Sequence, residues 1–362
     1  MIDLSFFAGK KVLITGHTGF KGTWMCRVLC DLGAEVYGYA LSAPAESLWN
    51  ILGMRREVKS VFADIRDYDT LLDAFERFRP EIVIHMAAQP LVRESYEAPR
   101  ETYDTNVMGT VNVLECIRNT DSVKSFVNVT TDKVYLNEER PEGYKEGERL
   151  DGYDPYSNSK SCSELVTWTY VRAFLKEKGI AVSTCRAGNV IGGGDFAKDR
   201  IIPDCVKAAV NGEEIVVRNP YSTRPYQHVL EPVCAYLLVA MRQYENPKLS
   251  GAYNVGPDLS GNFSTGNLAD LFCRKWNLGI DEKRGEHRAF WVNKNLGGPH
   301  EAGFLSLDSS KLKETFGWKP VWDMDTAVMK VVEWSQAFAR GEDVNLVMKA
   351  QIEEYLRGHD SL

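Results

Sequence analysis

The chain has 362 residues, of which 44% are hydrophobic and 26% charged, and its net charge is −7. This composition is ordinary for a soluble globular protein, and the length allows one large domain or two interlocked ones. The acidic balance argues against a nucleic-acid partner, and the longest apolar run is too short to span a membrane. The start of the chain lacks signal-peptide features, and the eight cysteines lack disulfide or zinc spacing. We therefore expect a cytoplasmic protein without a metal site.

The first predicted unit is a strand, a glycine turn and a helix. Residues 12–15 form a short apolar run typical of a buried parallel strand, and residues 23–32 have helical spacing. Between them lie Gly16, Gly19 and Gly22. Glycines in this position let the backbone approach a pyrophosphate, which then lies at the helix N-terminus. The pattern predicts a dinucleotide-binding site.

The second strand, predicted at residues 35–40, leaves the choice of dinucleotide open. An acidic residue about 20 positions after the glycines usually binds the adenosine ribose, but this neighbourhood holds Ser42. Without that carboxylate, both NAD and NADP are compatible with the sequence. Lys21, Arg55 or Arg56 is available to meet a 2′-phosphate.

The third and fourth predicted strands supply further candidates for cofactor binding. Asp64 follows the third strand and is placed to accept a hydrogen bond from the adenine amine, whereas Asp67 is expected to cap a helix at residues 68–78. The fourth strand, within residues 82–89, runs into small residues where a cofactor can lie against the backbone. His85 interrupts this apolar strand, and we interpret it as a hydrogen-bonded core residue.

A polar trio follows the fifth strand, predicted at residues 125–130. Because ligands in doubly wound sheets bind at the carboxyl ends of strands, Thr131, Asp132 and Lys133 occupy a position suited to chemistry. The charged, glycine-containing insert at residues 138–148 is expected to be a solvated surface loop.

Tyr156 and Lys160 are four residues apart on a helix predicted from residue 155 to about 178. This spacing places both side chains on one helix face. A free phenol has a pKa of about 10, so it is not a base at neutral pH. A neighbouring ammonium group favours the phenolate and would let the tyrosine accept a proton.

Beyond residue 186 the alternation of strands and helices loosens, which indicates a second lobe. Its first part contains Asn189, three consecutive glycines at residues 192–194, Arg200, Arg218 and Arg224. Arginine side chains suit a diphosphate, which backbone at glycine can approach closely. Strand-like segments near residues 225–229 and 252–255 are expected to return to the first lobe.

Together these residues resemble the extended short-chain dehydrogenase/reductase family. The similarity is closer to its sugar-nucleotide 4,6-dehydratases, and among these to the branch that acts on CDP-glucose. It is carried by the stretches at residues 16–22, 85–93, 131–133, 152–160, 186–195 and 218–231. It implies an α/β fold, namely a Rossmann-type doubly wound parallel sheet with a smaller, discontinuous substrate-binding lobe.

The resemblance also implies domain bounds, a cofactor and an assembly. The NAD-binding domain would comprise residues 1–186 and about 225–256, and the sugar-nucleotide lobe residues about 187–224 and 257–362. The expected cofactor is NAD, the expected assembly is a homodimer formed through helices of the first domain, and the expected role is deoxysugar biosynthesis for O-antigen.

The implied reaction is an internal redox dehydration of a glucose nucleotide. Tyr156 would take the proton of the 4-hydroxyl, Lys160 would lower the Tyr156 pKa and hold the nicotinamide ribose, and Thr131 would orient the hydroxyl. Asp132 would protonate the leaving 6-hydroxyl. Lys133 stands where most of these dehydratases place a glutamate as the base at C5.

The remaining implied site residues bind the two ligands. The cofactor-binding set, besides Tyr156 and Lys160, is Gly16, Thr18, Gly19, Phe20, Gly22, Asp64, Ile65, Ala87, Ala88, Gln89 and Asn106. The substrate-binding set is Arg93, Asn189, Arg200, Arg218, Arg224 and His228. Two alternatives stay open: a sugar-nucleotide 4-epimerase, which needs no acid at Asp132, and a non-enzymatic cofactor-sensing protein.

Overall fold

The structure is a computed structural model that describes residues 3–258, 263–294 and 303–360. Its strands are β1 Lys11–Thr15, β2 Glu35–Ala40, β3 Lys59–Phe62, β4 Ile82–His85, β5 Ser125–Thr131, β6 Ala181–Ala187, β7 Val190–Ile191, β8 Ile215–Val217, β9 Thr223–Arg224, β10 Gln227–His228, β11 Ala252–Val255, β12 Phe263–Ser264 and β13 Trp291–Asn293. Its helices are α1 Phe20–Asp31, α2 Leu48–Ile51, α3 Tyr68–Phe78, α4 Val92–Glu97, α5 Pro99–Tyr103, α6 Gly109–Asn119, α7 Pro155–Tyr170, α8 Ile201–Asn211, α9 Leu230–Glu245, α10 Thr265–Leu278, α11 Ser310–Phe316, α12 Met324–Ala339 and α13 Val344–Asp360. None of these helices has the length and hydropathy needed to cross a membrane.

Seven strands form one parallel sheet in the order β3-β2-β1-β4-β5-β6-β11. The order reverses at β1, where β2 and β4 lie on either side, and this is the switch point at which doubly wound sheets bind ligands. The prediction of a doubly wound parallel sheet is confirmed. The segment predicted near residues 252–255 also returns as expected, as the edge strand β11 beside β6.

The alternation of side chains along each strand builds two apolar layers. Val12 and Ile14 pack on one face of the sheet with α1 and α9, whereas Leu13 packs on the other face with α3 and α6. Because both faces are covered, the strands consist of nearly continuous apolar residues, as expected for a buried parallel sheet.

A separate apolar core holds the second lobe together. It is formed by side chains of α8, α10 and α12 with strand β8. The C-terminal helix α13 departs from the expected grouping, because Met348, Ile352 and Tyr355 pack into the same cluster as α1 and α9. The last helix of the chain therefore contributes to the core of the first domain rather than to the lobe alone.

The insert at residues 138–148 differs from the predicted solvated loop. Tyr144 is buried, stacks on Tyr135 and lies with Leu305 and Leu307 in a small apolar cluster. Asn254 donates a 2.7 Å hydrogen bond to the Tyr144 carbonyl. Glu138, Glu139, Glu142 and Lys145 are exposed. The Tyr144 ring and the Glu146 carboxylate, which accepts a hydrogen bond from the Asn254 amide at 2.9 Å, anchor the insert to β11 and to the segment before α11.

Glu231, in the first turn of α9, joins three elements in the interior. Its Oε1 accepts hydrogen bonds from the amides of Val321 (2.9 Å) and Trp322 (2.8 Å), and its Oε2 accepts one from the Tyr355 hydroxyl (2.7 Å). Burial raises the pKa of Glu231 to about 7, against the lowering effect of these hydrogen bonds. The carboxyl group therefore holds α13 and the segment before α12 against α9.

We predict that Glu231 makes the stability of the protein pH-dependent. Because its folded-state pKa lies above the unfolded value of about 4.3, the folded state binds more protons, and stability falls as pH rises from about 4 through 7. The full effect should be about 3.5 kcal/mol, of which about 2 kcal/mol falls between pH 5.5 and 8.5. Urea unfolding of wild type and Glu231→Gln at pH 5.5 and 8.5 measures it, and the variant should lose less stability over this interval. An equal pH dependence in both proteins would contradict the assignment.

Candidate active site

The glycine turn after β1 is shaped by close backbone contacts. Gly16 has a φ of +75°, and a Cβ on it would lie 2.7 Å from the amide nitrogen of Ala87. A Cβ on Gly22 would lie 2.3 Å from the carbonyl oxygen of Gly16. Only glycine fits these two positions, so the turn packs directly against the end of β4.

The turn leaves the start of α1 open for an anion. The N-cap residue of α1 is Gly19, which provides no side-chain cap, so the amides that begin at Phe20 stay available. The Thr15 hydroxyl accepts hydrogen bonds from the amides of Met86 and Ala87, both at 3.2 Å, which fixes the end of β4 beside the turn. This glycine cradle at a helix N-terminus fits the pyrophosphate of a dinucleotide.

The residues expected near the adenosine make contacts within the protein that differ from one residue to the next. Asp64 accepts three hydrogen bonds from Arg66, from its amide (2.9 Å), Nε (3.0 Å) and Nη2 (2.6 Å). Ile65 is buried in the core beneath Gly109, so its side chain does not face a ligand. Thr18 donates to the carbonyl of Leu41, next to the exposed Ser42. Asp67 caps α3 as predicted by accepting from the Thr70 amide.

His85 confirms the interpretation as a core residue. Its Nδ1 lies 2.7 Å from the hydroxyl of Thr15, and its Nε2 lies 3.1 Å from that of Thr110. Burial, with a smaller effect of Lys160, lowers the pKa of His85 to about 3, so the ring is neutral.

Asn106 lies beneath the site rather than in it. It belongs to a π-helical turn, Asp104–Met108, between α5 and α6, and it is fully buried. Its Oδ1 accepts from the amide of Gln89, and its Nδ2 donates to the carbonyl of Gln89 and to the hydroxyl of Ser159. Asn106 therefore joins the end of β4 to α7, and direct contact with a cofactor is not supported.

The carboxyl end of β5 brings the polar trio beside α7. The Thr131 hydroxyl donates to Asp132 Oδ1 at 2.9 Å. Lys133 Nζ donates to the same oxygen at 2.9 Å and to Asn189 Oδ1 at 3.3 Å. Asp132 is fully buried, and its Oδ2 has no hydrogen-bond partner within the described part of the chain. Thr131 and Lys133 line the cavity described below, whereas Asp132 lies behind them.

Tyr156 and Lys160 lie on α7, whose N-cap is Asp154. Burial raises the pKa of Tyr156 to about 12, although a hydrogen bond with Thr131 acts in the opposite direction. Burial also lowers the pKa of Lys160 to about 7, and the charge of Lys21 lowers it further. Lys160 Nζ donates to the carbonyl of Val129 at 3.3 Å.

A buried ion pair fixes α7 to the sheet. Arg186 donates from Nε (2.8 Å) and Nη2 (2.7 Å) to the two carboxylate oxygens of Glu164. Thr130 and Thr184 donate to the same carboxylate at 2.6 and 2.8 Å. Glu164 lies one turn after Lys160, so this network positions the helix that carries both functional side chains. The sequence motifs did not identify Glu164.

A cavity of about 1390 Å³ opens between the first domain and the lobe. Tyr156 and Thr131 line its wall, and the lobe contributes Asn189, Arg200, Arg218 and Arg224. Arg93 also lines it, together with two largely exposed tyrosines, Tyr153 and Tyr221. Within the described residues, no group of three His, Cys, Asp or Glu side chains is arranged to bind a metal.

Three of the cavity arginines are paired with aspartates. Arg200 contacts Asp195 at 3.0 Å, and Asp199 contacts both Arg218 at 2.6 Å and Arg93 at 3.7 Å. Asp199 has a φ of +61°, a left-handed conformation that is unusual for a residue other than glycine. The arginines were predicted from the sequence, whereas their pairing with these aspartates was not.

One residue of the expected substrate-binding set lies outside the cavity. His228 is fully buried between the rings of Trp24 and Trp322 and does not line the cavity, so the expectation that it binds substrate is wrong. Lys21, one of the candidates for a ribose 2′-phosphate, lines the cavity, as does Lys133. Arg55, another candidate for that phosphate, stacks on Phe62.

Comparison with known proteins places this site in context. The profile of the GDP-mannose 4,6 dehydratase family matches residues 13–331. A CDP-glucose 4,6-dehydratase from Salmonella typhimurium is 45% identical over 98% of this chain and 99% of its own length. A probable dTDP-glucose 4,6-dehydratase from Sinorhizobium fredii is 28% identical over 90% of this chain and 92% of its own.

Solved structures share the fold. The dTDP-glucose 4,6-dehydratase from Bacillus anthracis in complex with NAD aligns with a TM-score of 0.73 at 20% identity, covering 91% of this chain and 97% of its own. A UDP-glucose 4-epimerase from Thermotoga maritima with UDP-glucose aligns with a TM-score of 0.75 at 22% identity, covering 90% and 99%.

We predict that breaking the buried Arg186–Glu164 pair destabilises the protein strongly. Arg186→Met leaves the Glu164 carboxylate buried without its cation, which should cost about 3 to 5 kcal/mol. The exposed pair Arg77–Asp73 offers a matched control, because Arg77→Met should change stability by less than about 0.5 kcal/mol. Urea unfolding midpoints compare the two variants, and equal midpoints would show that the buried pair contributes no more than the exposed one.

Proposed function

Because the chain belongs to the GDP-mannose 4,6 dehydratase family, we propose that it converts CDP-D-glucose to CDP-4-dehydro-6-deoxy-D-glucose and water, with NAD as its cofactor. The observation that carries this proposal is the full-length similarity to a CDP-glucose 4,6-dehydratase, combined with a cavity that contains Tyr156 and Thr131 beside Lys160. The arginines of the cavity supply the charge that a nucleoside diphosphate needs.

The proposed cofactor site is the glycine cradle of β1 and α1. Two observations support this site. The N-terminus of α1 is open, and the positions of Gly16 and Gly22 leave no room for a Cβ atom. NAD held at Gly16, Gly19 and Gly22 would supply the hydride acceptor for C4 of the sugar and the hydride donor for C6. Lys160, one helical turn after Tyr156 on α7, would hold the ribose next to the reacting carbon.

The proposed chemistry begins at Tyr156. The phenolate takes the proton of the 4-hydroxyl, while the Thr131 hydroxyl orients that group. The ketone formed at C4 acidifies the hydrogen at C5, so that the 6-hydroxyl can leave as water. The Asp132–Lys133 pair supplies the proton for this leaving group, and Lys133 is the member of the pair that lines the cavity.

We propose a cytoplasmic homodimer that works in deoxysugar biosynthesis for O-antigen. The eight cysteines are free thiols, in keeping with a reducing compartment. Met108, Leu165 and Phe174 expose apolar surface beside α6 and α7, and this surface supports pairing of two copies through those helices. Sedimentation equilibrium at micromolar concentration should give twice the chain mass, and a monomer would overturn the assembly.

The substrate proposal is tested with four glucose nucleotides carrying cytosine, thymine, uracil or guanine. The alkali absorbance of 4-keto-6-deoxy sugars reports the dehydration product. We expect the highest kcat/KM with CDP-glucose. Faster turnover of another nucleotide would overturn the choice of base, and formation of the 4-epimer without a keto sugar would overturn the dehydratase assignment.

We predict that Tyr156→Phe lowers kcat by roughly a hundredfold or more, the usual contribution of a proton-transfer group. Substrate affinity should change little, because the hydroxyl is one contact among many in a cavity lined by both lobes. Initial rates and a substrate Kd from equilibrium titration separate the two effects. Near-normal turnover in the variant would remove Tyr156 from the mechanism.

A further inference from the structure

Lys21 occupies a position that the proposed reaction does not yet use. It is the second residue of α1, and its side chain reaches the substrate cavity. Within the described part of the chain, Nζ of Lys21 makes no hydrogen bond or salt bridge, although four charged side chains act on it: Arg200, Asp132, Lys133 and Asp195. A lysine without a fixed acceptor is free to approach a ligand.

Lys133, in contrast, already donates hydrogen bonds within the protein. Its Nζ donates to the buried carboxylate of Asp132 at 2.9 Å and to Asn189 at 3.3 Å. Both contacts use Nζ of Lys133 as the hydrogen-bond donor. Lys133 is therefore arranged to give a proton to a leaving hydroxyl, which is the opposite of what a base at C5 must do.

The surroundings of Lys21 favour a neutral amine. Burial lowers its pKa to about 8, and the charge of Arg200 lowers it further, whereas Asp132 acts in the opposite direction. Its charge in turn lowers the pKa of Lys160, which places Lys21 close to the helix face that carries the catalytic pair. A general base is most effective when its pKa lies near the working pH.

We propose that Lys21, rather than Lys133, removes the proton from C5 of the sugar; this inference rests on the proposed dehydratase function. The neutral Lys21 nitrogen binds the C5 proton, and the C5–H electron pair becomes the C5–C6 double bond. The C6–O bond breaks, and the departing oxygen takes a proton from Lys133 to leave as water. Once C6 has been reduced, the Lys21 ammonium returns a proton to C5.

Three variants test this assignment: Lys21→Met, Lys21→Arg and Lys133→Met. Arginine keeps the positive charge of Lys21 but stays protonated in proteins, so it cannot serve as a base. Each variant is mixed with CDP-glucose in deuterium oxide. Deuterium at C5 of recovered sugar, absorbance of reduced cofactor and bound-cofactor content are then measured. We expect both Lys21 variants to accumulate reduced cofactor, to lose C5 exchange and to turn over at least about a hundredfold more slowly.

Lys133→Met should retain C5 exchange, because only the proton donor for the leaving group has been removed. The proposal is overturned if Lys21→Met incorporates deuterium at C5 as fast as wild type does. Near-normal turnover of Lys21→Arg would overturn it as well. Loss of bound cofactor from both Lys21 variants would place this side chain at the pyrophosphate and would overturn it equally. If wild type dehydrates a different nucleotide, the substrate proposal fails, and the same variants are compared with that nucleotide.

Discussion

The bidentate pair between Arg186 and Glu164 is the interaction on which the active site depends. It ties β6 to α7 below the carboxyl ends of the strands, and both of its members are almost completely buried. Such a pair is favourable only when its remaining hydrogen-bonding capacity is satisfied. Thr130, Thr184 and Tyr135 meet that requirement here. Because Tyr156 and Lys160 lie on the same helix, their distance from Thr131 follows from this network.

Helix α7, which carries Tyr156 and Lys160, packs against the first domain largely through polar side chains. The buried face of α7 consists largely of small hydroxyl side chains, namely Ser157, Ser159, Ser161, Ser163 and Thr167. Ser163 contacts Thr110 and Asn128, and Ser159 contacts Asn106, so hydrogen bonds replace much of the apolar packing. A satisfied polar network specifies one arrangement more strictly than apolar contacts do. This suits a helix whose side chains must meet a reacting carbon.

The sequence predicted the elements better than it predicted side-chain directions. The strands of the central sheet, the glycine turn and the cap at Asp67 depend on local patterns and are confirmed. The segment expected to return near residues 225–229 instead pairs with β7 in a separate two-stranded sheet. The prediction that His228 binds substrate was wrong, because the direction of its side chain is set by Trp24 and Trp322, which lie far away in the chain. Glu164 was missed because a carboxylate on a helix is usually solvated, and its partner lies on another element. No local pattern shows that Lys21 enters the cavity.

Desolvation shifts the pKa values of Tyr156 and Lys160 in opposite directions. Burial raises the pKa of Tyr156 to about 12 and lowers that of Lys160 to about 7, so both groups are driven toward their neutral forms. In the proposed mechanism, a hydrogen-bond acceptor bound at Lys160 would favour its ammonium form, and that charge would in turn favour the Tyr156 phenolate. Proton transfer at Tyr156 would therefore depend on what binds beside Lys160.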